Sequence, residues 1–369
     1  AALQHLNRAI EEILKLENKE TPLVLRNKLH DIQELLPLFL RRDTTFVRYV
    51  EYRRENDILS TDLCAVPFDL PQCVYDALWR EQKPAILTSG TLATGEDFSH
   101  AEQQFGLDRG TPLRTLRILS PFRYDENCLL YFPESQHKKP PYKQDEDRVA
   151  HQIQELINTA NGHTLVLFTS YDQMGRVYEK LKNKFPVPVL QAQRNPQVYL
   201  ERFKQLPNAV LFASGACWEG VDFPGDMVSL LIIVKLPFQV PDPLGEALRK
   251  QYNNLHNYIQ AEVVPEMQIK LRQGFGRAIR TETDSCVVAI LDPRAAPGKR
   301  YHQAVLDALP EMPISEKLTD IQSFLQSKKN PSYFEPRFPK EVDIHEGDLF
   351  HPGSQKQRSH HAAADSDLP

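Results

Sequence analysis

Five short apolar runs constrain the fold of this chain more than any other feature of its sequence. They are rich in Val, Ile and Leu, show no polar face, and lie at 85–87, 164–168, 209–213, 230–234 and 286–291. Strands of a parallel sheet have this character when helices cover both faces of the sheet. Segments with helical spacing or propensity lie between or after the runs, at 145–160, 171–184, 243–260 and 300–309. The alternation predicts an α/β fold with a three-layer parallel sheet.

The flanking regions differ in character from this central part. Apolar residues recur at helical spacing twice in the first 40 residues, at Leu3, Leu6, Ile10 and Ile13 and again at Leu25, Leu29, Ile32 and Leu36. This spacing predicts two amphipathic helices that pack on each other, within a helical region that reaches to about residue 55. We therefore predict a helical domain at 1–60, the α/β domain at 61–330, and a polar, disordered tail at 331–369.

The composition excludes several classes of protein. The longest apolar run, 227–234, is strand-sized, whereas a membrane span needs about 18 apolar residues, and the first residues show no signal-peptide pattern. The cysteines are scattered without a C-x-x-C pair, which predicts reduced thiols in a cytoplasmic protein and no metal site. Because the net charge is −5, a nucleic-acid partner requires a local basic surface. The segment 270–300 has this character, with seven Lys or Arg against three Asp or Glu.

In an open parallel sheet, ligands collect at the carboxyl ends of the strands, so the loops after the predicted strands are candidate sites. The first loop is rich in hydroxyl side chains and contains Thr88, Ser89, Gly90 and Thr91. The second begins a helix and contains Thr169, Ser170 and Tyr171. Hydroxyl groups at a strand end bind phosphate in some proteins, but an ordinary turn and ordinary helix capping also account for both loops.

The third loop, 214–226, has a composition that a connecting turn does not require. Glycines allow close backbone approach to a ligand, and a carboxylate binds a ribose hydroxyl or positions water. The candidate residues in this loop are Ser214, Gly215, Trp218, Glu219, Gly220 and Asp222. For Trp218, two interpretations stay open: the indole stacks on a nucleic-acid base, or it anchors the loop in the core.

The fourth candidate segment contains two arginines three residues apart. On a helix, Arg277 and Arg280 would share a face, with Gln273 one turn earlier. Two guanidinium groups that converge on one point suit a multiply charged phosphate. The alternative is a solvated basic face that pairs with Glu282 and Asp284.

Together these four segments resemble the later helicase motifs of superfamily two, and their sequences resemble those of the DinG/XPD branch most. The segment 85–92 is similar to motif III and 165–174 to motif IV. The segments 218–226 and 235–238 resemble motif V and its following strand, and 273–280 with 291–294 resembles motif VI and its sequel. The resemblance covers roughly residues 60–310.

The resemblance implies a RecA-like second motor domain, preceded by the end of a helical arch insertion. In this family ATP lies between two such domains and single-stranded DNA crosses both. Arg277 and Arg280 would reach the γ-phosphate of ATP bound to the other domain, and Gln273 would orient them. The residues implied to couple the nucleotide to DNA are Thr88, Ser89, Gly90, Thr91, Glu219, Gly220 and Asp222. Those implied to contact DNA are Thr169, Ser170, Tyr171, Ser214, Gly215 and Trp218.

Two motifs of a complete helicase are absent from the sequence. It contains no G-x-x-x-x-G-K-[ST] loop and no D-E-A-H box, and it starts with Ala rather than Met. The resemblance therefore predicts a fragment that cannot hydrolyse ATP alone and whose ATP and Mg²⁺ are held mainly by an absent N-terminal motor domain. The intact protein would unwind DNA in the 5′→3′ direction. An iron–sulfur cluster, which many relatives contain, would lie in the absent part, so this sequence does not decide whether the protein has one.

Two other functions are alternatives to the helicase. A non-catalytic RecA-like module that binds nucleic acid or a protein would lack the same two motifs by nature. The upstream sequence of the gene separates these hypotheses, because only the helicase requires a phosphate-binding loop there. A dinucleotide-dependent oxidoreductase is disfavoured, since no G-x-G-x-x-G follows any predicted strand.

Overall fold

A parallel β-sheet forms the centre of the molecule in the computed structural model. The structure describes residues 2–15, 23–40, 44–55, 58–93, 97–134, 145–192, 196–218, 223 and 225–335. The strands are β1 (Phe46–Glu55), β2 (Ile58–Pro67), β3 (Cys128–Tyr131), β4 (Thr164–Phe168), β5 (Val189–Gln191), β6 (Val210–Ser214), β7 (Leu230–Ile233), β8 (Cys286–Ile290) and β9 (Ile314–Ser315). Within the described residues, seven strands form one parallel sheet in the order β5-β6-β4-β7-β8-β3-β9.

Helices cover the two faces of this sheet. The α-helices of the described residues are α1 (Ala2–Lys15), α2 (Leu23–Leu40), α3 (Leu70–Val74), α4 (Ser99–Gln104), α5 (Tyr124–Asn127), α6 (Glu146–Thr159), α7 (Tyr171–Leu181), α8 (Pro196–Gln205), α9 (Pro243–Arg249), α10 (Leu255–Tyr258), α11 (Val264–Phe275), α12 (His302–Ala308) and α13 (Leu318–Lys328). One face is covered by α8, α11 and α12, with Leu271 and Val305 in the core. The other is covered by α6, α7 and α13, with Ile153 and Ile321. The predicted three-layer α/β architecture is therefore confirmed.

Four of the five predicted strands are present, as β4, β6, β7 and β8. The run at 85–87 is the exception, because it forms no strand and Ile86 is 94% exposed. A parallel strand is stable only when neighbouring strands bond its backbone and helices cover its side chains. No described strand pairs with this run, so it remains an extended surface segment. The short strands β3, β5 and β9 were not predicted.

The N-terminal region contains the two predicted helices, followed by a hairpin that was not predicted. Ile10 of α1 and Leu36 of α2 are buried, as the spacing of apolar residues indicated. The prediction of helix to about residue 55 is wrong, because β1 pairs with β2 from Phe46↔Pro67 to Glu55↔Ile58. Aromatic and β-branched residues dominate the start of β1, which favours a strand over a helix. The predicted domain boundary at residue 60 falls within β2.

The start of the predicted tail is part of the fold. Pro331–Tyr333 forms a 3₁₀ turn, and Tyr333 is 4% exposed. Its ring stacks on His163 with centroids 4.1 Å apart, and its hydroxyl donates to the Ala160 carbonyl at 2.8 Å. These contacts explain why 331–335 is ordered despite its polar sequence. The rest of the predicted tail, 336–369, lies outside the described residues.

Among the described helices, none is both long enough and apolar enough to cross a membrane.

Candidate functional site

Trp218 joins three of the four candidate segments at the carboxyl edge of the sheet. It ends a 3₁₀ turn that follows β6, and it is 1% exposed. Its indole Nε1 donates to the Phe168 carbonyl at the end of β4, at 2.9 Å. The ring lies against Gly274 of α11, where an added Cβ would be only 2.8 Å from Trp218 Cε3. The second, third and fourth segments therefore meet at one indole ring.

This position decides between the two interpretations of Trp218. A base stacks only on an exposed ring face, and the ring is buried in the core. The assignment of Trp218 as a DNA contact is therefore contradicted, and its role is that of an anchor for the loop. The close backbone contact that Gly274 allows is with Trp218 of the same chain, not with a ligand.

Tyr171 and Gly215 bring the second and third segments together. Gly215 has a φ of +61°, and an added Cβ would lie 2.5 Å from the Tyr171 hydroxyl. That hydroxyl donates to the Ser214 carbonyl at 3.4 Å, and the Ser214 hydroxyl donates to the Phe168 carbonyl at 3.0 Å. Tyr171 remains 45% exposed, so it borders solvent at this edge.

The two neighbours of Tyr171 on its N-terminal side differ in role. Ser170 caps α7, since its hydroxyl accepts from the Gln173 N–H at 3.4 Å. Thr169 is exposed and follows β4 directly. Ser170 is thus occupied by helix capping, whereas Thr169 faces solvent beside Tyr171.

Substituting Gly215 with alanine should lower the free energy of unfolding by about 1–2 kcal/mol, because an L-residue with positive φ is strained by roughly that amount. The contact with the end of the Tyr171 side chain should add little, since that side chain can move. A double-mutant cycle with Tyr171→Ala, measured by urea denaturation of the chain, separates the two terms. A cost for Gly215→Ala that vanishes in the Tyr171→Ala background would contradict the backbone explanation.

The arginine segment differs from its prediction. α11 ends at Phe275, and Gly276 closes it with an N–H bond to the Arg272 carbonyl at 2.9 Å. Arg277 follows in a turn, where its N–H donates to the Gly274 carbonyl at 3.1 Å. Arg277 and Arg280 therefore lie beyond the end of α11 and do not share a helical face. Both residues are half-buried. Gly276, the first residue after α11, explains the difference, because glycine disfavours helix continuation. Gln273 lies on the last turn of α11 and is half-buried.

Asp284 fixes the shape of this arginine turn (residues 276–284). It is 6% exposed, and Oδ2 accepts from the N–H groups of Arg280 and Thr281, both at 2.8 Å. Oδ1 accepts from the Thr281 hydroxyl at 2.7 Å. The carboxylate thus organises the backbone that carries Arg280, a role that the solvated-face interpretation did not include.

The hydroxyl segment lies on the surface. Thr88, Ser89 and Gly90 are exposed, and Thr91 is half-buried. The hydroxyls of Ser89 and Thr91 are 3.1 Å apart, and Ser89 Oγ accepts from the Thr91 N–H at 3.2 Å. A connection to α11 follows two residues later, where Arg272 Nη1 donates to the Ala93 carbonyl.

Of the three carboxylates in the third segment, Asp226 is the one that the structure describes. Glu219, Gly220 and Asp222 lie outside the described residues. Asp226, at the end of the segment, precedes β7 at the opposite, amino edge of the sheet. There it pairs with the buried Lys329 at 2.5 Å. Trp218 and Asp226 therefore lie at opposite edges of the sheet, and Asp226 does not belong to the candidate site.

A buried carboxylate links the carboxyl ends of β7 and β8. Asp292 is 2% exposed and accepts from the Leu236 N–H at 3.0 Å and from Arg294 Nη2 at 2.7 Å. The hydrogen bond with Asp292 raises the pKa of Arg294, whose guanidinium also lies over the Phe238 ring. These contacts connect residues 235–238, which follow the third segment, with residues 291–294, which follow the fourth.

Known proteins resemble this chain in sequence and in fold. A family model described as "Helicase C-terminal domain" matches residues 153–312. The chain is 31% identical over 317 residues to "3'-5' exonuclease DinG" of Bacillus subtilis, covering 81% of this chain and 33% of that protein. It is 36% identical over 254 residues to "ATP-dependent DNA helicase YoaA" of Haemophilus influenzae, covering 66% of this chain and 38% of the relative. A solved XPD helicase structure aligns with a TM-score of 0.52 and 20% identity, over 80% of this chain and 56% of that chain.

The parallel sheet, the order of the segments along the chain and the matched family define a helicase C-terminal domain with a RecA-like fold. More particularly, the chain contains the C-terminal region of a DinG/XPD-type helicase. It spans 33% and 38% of the length of the two curated relatives.

Proposed function

We propose that this chain is the C-terminal motor domain of an ATP-dependent DNA helicase that moves 5′→3′ along single-stranded DNA. The observation that carries the proposal is the junction at Trp218, where the ends of β4, β6 and α11 meet. Through this junction, movement of the arginine turn would be transmitted to the loops beside Tyr171. A motor domain requires such a connection between its nucleotide side and its DNA side.

The arginine turn is the proposed nucleotide side. Arg277 and Arg280 would contact the γ-phosphate of ATP held by another domain, and Gln273 would orient them. Guanidinium groups suit this role because they bind phosphate oxygens through two parallel hydrogen bonds. The Asp284 cap supports the assignment, since it fixes the backbone at Arg280.

The proposed DNA side is the edge formed by the ends of β4 and β6. Thr169 and Tyr171 are exposed there, and Gly215 lets the backbone pass close to Tyr171. Ser170 and Ser214 would support this edge through their capping and carbonyl bonds. Glu219, Gly220 and Asp222 keep their proposed role in coupling the nucleotide to the DNA, as do Thr88, Ser89, Gly90 and Thr91.

The residues of this chain do not fit a complete ATP and Mg²⁺ site. The sequence lacks a phosphate-binding loop and an acidic box, and no cluster of three potential metal ligands occurs in the described part of the chain. We therefore assign both groups to an N-terminal motor domain of the intact protein. Exposed apolar residues support a contact with such a domain: Ile86, Leu116, Ile118 and Leu119 are 94%, 79%, 82% and 78% exposed. Apolar surface of this kind marks an interaction site.

The proposal is tested with the intact protein and with this chain alone. We expect the intact protein to hydrolyse ATP faster when single-stranded DNA is added, and this chain alone to show no hydrolysis. Unwinding of duplexes with a 5′ or a 3′ single-stranded tail gives the direction. An intact protein that binds DNA but does not hydrolyse ATP would support the non-catalytic module instead.

A further inference from the structure

Arg272 connects three parts of the fold. It lies on the last turn of α11, directly before Gln273, and is half-buried. Its Nε donates to the Ala308 carbonyl at the end of α12, at 2.9 Å. Its Nη1 donates to the Ala93 carbonyl, which follows the hydroxyl segment. One guanidinium therefore bonds the backbone of two segments that are far apart in sequence.

A second side chain of α11 makes only one of these two connections. Gln268 Nε2 donates to the Ala304 carbonyl of α12 at 2.9 Å, one helical turn before the Arg272 bond on both helices. Gln268 and Arg272 thus contribute equivalent bonds between α11 and α12. Of these two side chains, Arg272 also bonds the Ala93 carbonyl, so Gln268 is a matched reference for it.

The chemistry of the arginine side chain suits this connection. A planar guanidinium presents donors in several fixed directions, whereas a lysine ammonium on its flexible stem does not reproduce that geometry. Burial lowers the pKa of Arg272, and the nearby charge of Arg117 lowers it further. The group nevertheless stays protonated, because arginine is not deprotonated in proteins.

A second contact ties α11 to the same region of the chain. Glu266, at the start of α11, lies 3.2 Å from His100 Nε2 on α4. Ala93 and His100 are thereby connected to opposite ends of α11. Its C-terminal attachment is the one next to Gln273 and the arginine turn.

We propose that Arg272 is a positioning residue that transmits movement of the hydroxyl segment to Gln273 and the arginine turn. This inference rests on the proposed function, because the arginine turn acts on ATP only in the intact helicase. Arg272 itself would contact neither the nucleotide nor the DNA. Its loss would leave both segments present but would uncouple them.

The test compares Arg272→Met with Gln268→Met in the intact protein. Both variants remove a bond between α11 and α12, but only the first removes the bond to Ala93. We expect the ratio of DNA-stimulated to unstimulated ATP turnover to fall about five- to tenfold in Arg272→Met, within the usual range of coupling between sites. Gln268→Met should keep the ratio of the unsubstituted protein. Equal ratios in the two variants would overturn the proposal.

A second measurement uses this chain alone and does not depend on ATP hydrolysis. Thermolysin should cleave between residues 85 and 93 severalfold faster in Arg272→Met than in Gln268→Met, because the connection at Ala93 is lost. Equal cleavage would remove the physical basis of the inference even if the intact protein is an active helicase. Conversely, an inactive intact protein with unequal cleavage would refute the proposed function and leave the connection standing.

Arg272→Lys provides the conservative variant if Arg272→Met fails to fold. The lysine keeps the charge and reaches one carbonyl at a time, so we expect the turnover ratio to fall about threefold. A ratio equal to that of the unsubstituted protein would show that the double connection is dispensable.

Discussion

Replacing Arg277 with alanine in the intact protein should abolish DNA-stimulated ATP hydrolysis, with a loss of about 10³- to 10⁵-fold in turnover. An arginine that stabilises the transferred phosphoryl group acts chiefly in the transition state, where negative charge spreads over its oxygens. ATP affinity should therefore change only severalfold. Arg280→Ala should behave in the same way, because we propose that both guanidinium groups reach the same phosphate. Turnover and nucleotide binding are measured separately, by phosphate release and by titration with a fluorescent ATP analogue.

Arg176→Ala is the matched control for these variants. Arg176 lies on α7, is exposed, and pairs with Glu146 of α6 at 2.8 Å. An exposed ion pair of this kind contributes little to stability, so the control should keep its turnover. Near-normal turnover in both Arg277→Ala and Arg280→Ala would remove the assignment of the arginine turn.

Trp218→Ala should lower the free energy of unfolding of this chain by about 3–5 kcal/mol, the usual cost of deleting a large buried aromatic side chain. That is a large part of the roughly 5–15 kcal/mol that stabilises a typical domain. The loss should be at the upper end, because the indole fills the space between β4 and α11. Chemical denaturation followed by far-UV circular dichroism measures it.

Two further variants separate the ring from its hydrogen bond. Trp218→Phe loses the indole donor, but the Phe168 carbonyl keeps a second donor in the Ser214 hydroxyl at 3.0 Å. The hydrogen-bond part of its cost should therefore be near 1 kcal/mol rather than the full penalty of an unpaired buried carbonyl. Gly274→Ala should cost about 1–3 kcal/mol of stability through overpacking against the ring. The better helix propensity of alanine should offset about 1 kcal/mol of this cost. A cost for Trp218→Ala below that of Trp218→Phe would contradict the anchor role.

The sheet was predictable from the sequence wherever burial was complete. The runs that became β4, β6, β7 and β8 are apolar on both faces, and this signal needs no knowledge of the neighbours. The run at 85–87 has the same composition but no partner strand in the described fold, so composition alone could not place it. Short edge strands such as β9 carry too few residues for a pattern to emerge.

For the candidate site, the sequence indicated that Trp218 and Tyr171 lie at the same edge of the sheet, because each follows a parallel strand. It did not indicate that the arginine turn leads to the amino edge, where the Glu282 carbonyl accepts from Asn127 Nδ2 at 3.0 Å and Asp284 lies two residues before β8. It did not indicate that Gly274 makes room for Trp218, since contacts distant in sequence leave no local pattern. The two connections of Arg272 were not predictable for the same reason, because its partners at Ala93 and Ala308 are backbone carbonyls, which every residue has.

The positions of β3 and β9, which extend the sheet beyond β8, decide which fragment of this protein can be studied in isolation. β3 precedes the region 153–312 that the helicase family model matches, and β9 and α13 follow it. A fragment cut at those limits would leave the apolar β8 with an open edge and would remove Ile321 and Leu325 from one core. An open, apolar edge strand promotes aggregation, because its unpaired backbone groups can bond to another chain. Recombinant fragments should therefore begin before Cys128 and extend beyond Tyr333, well outside the limits of the matched family.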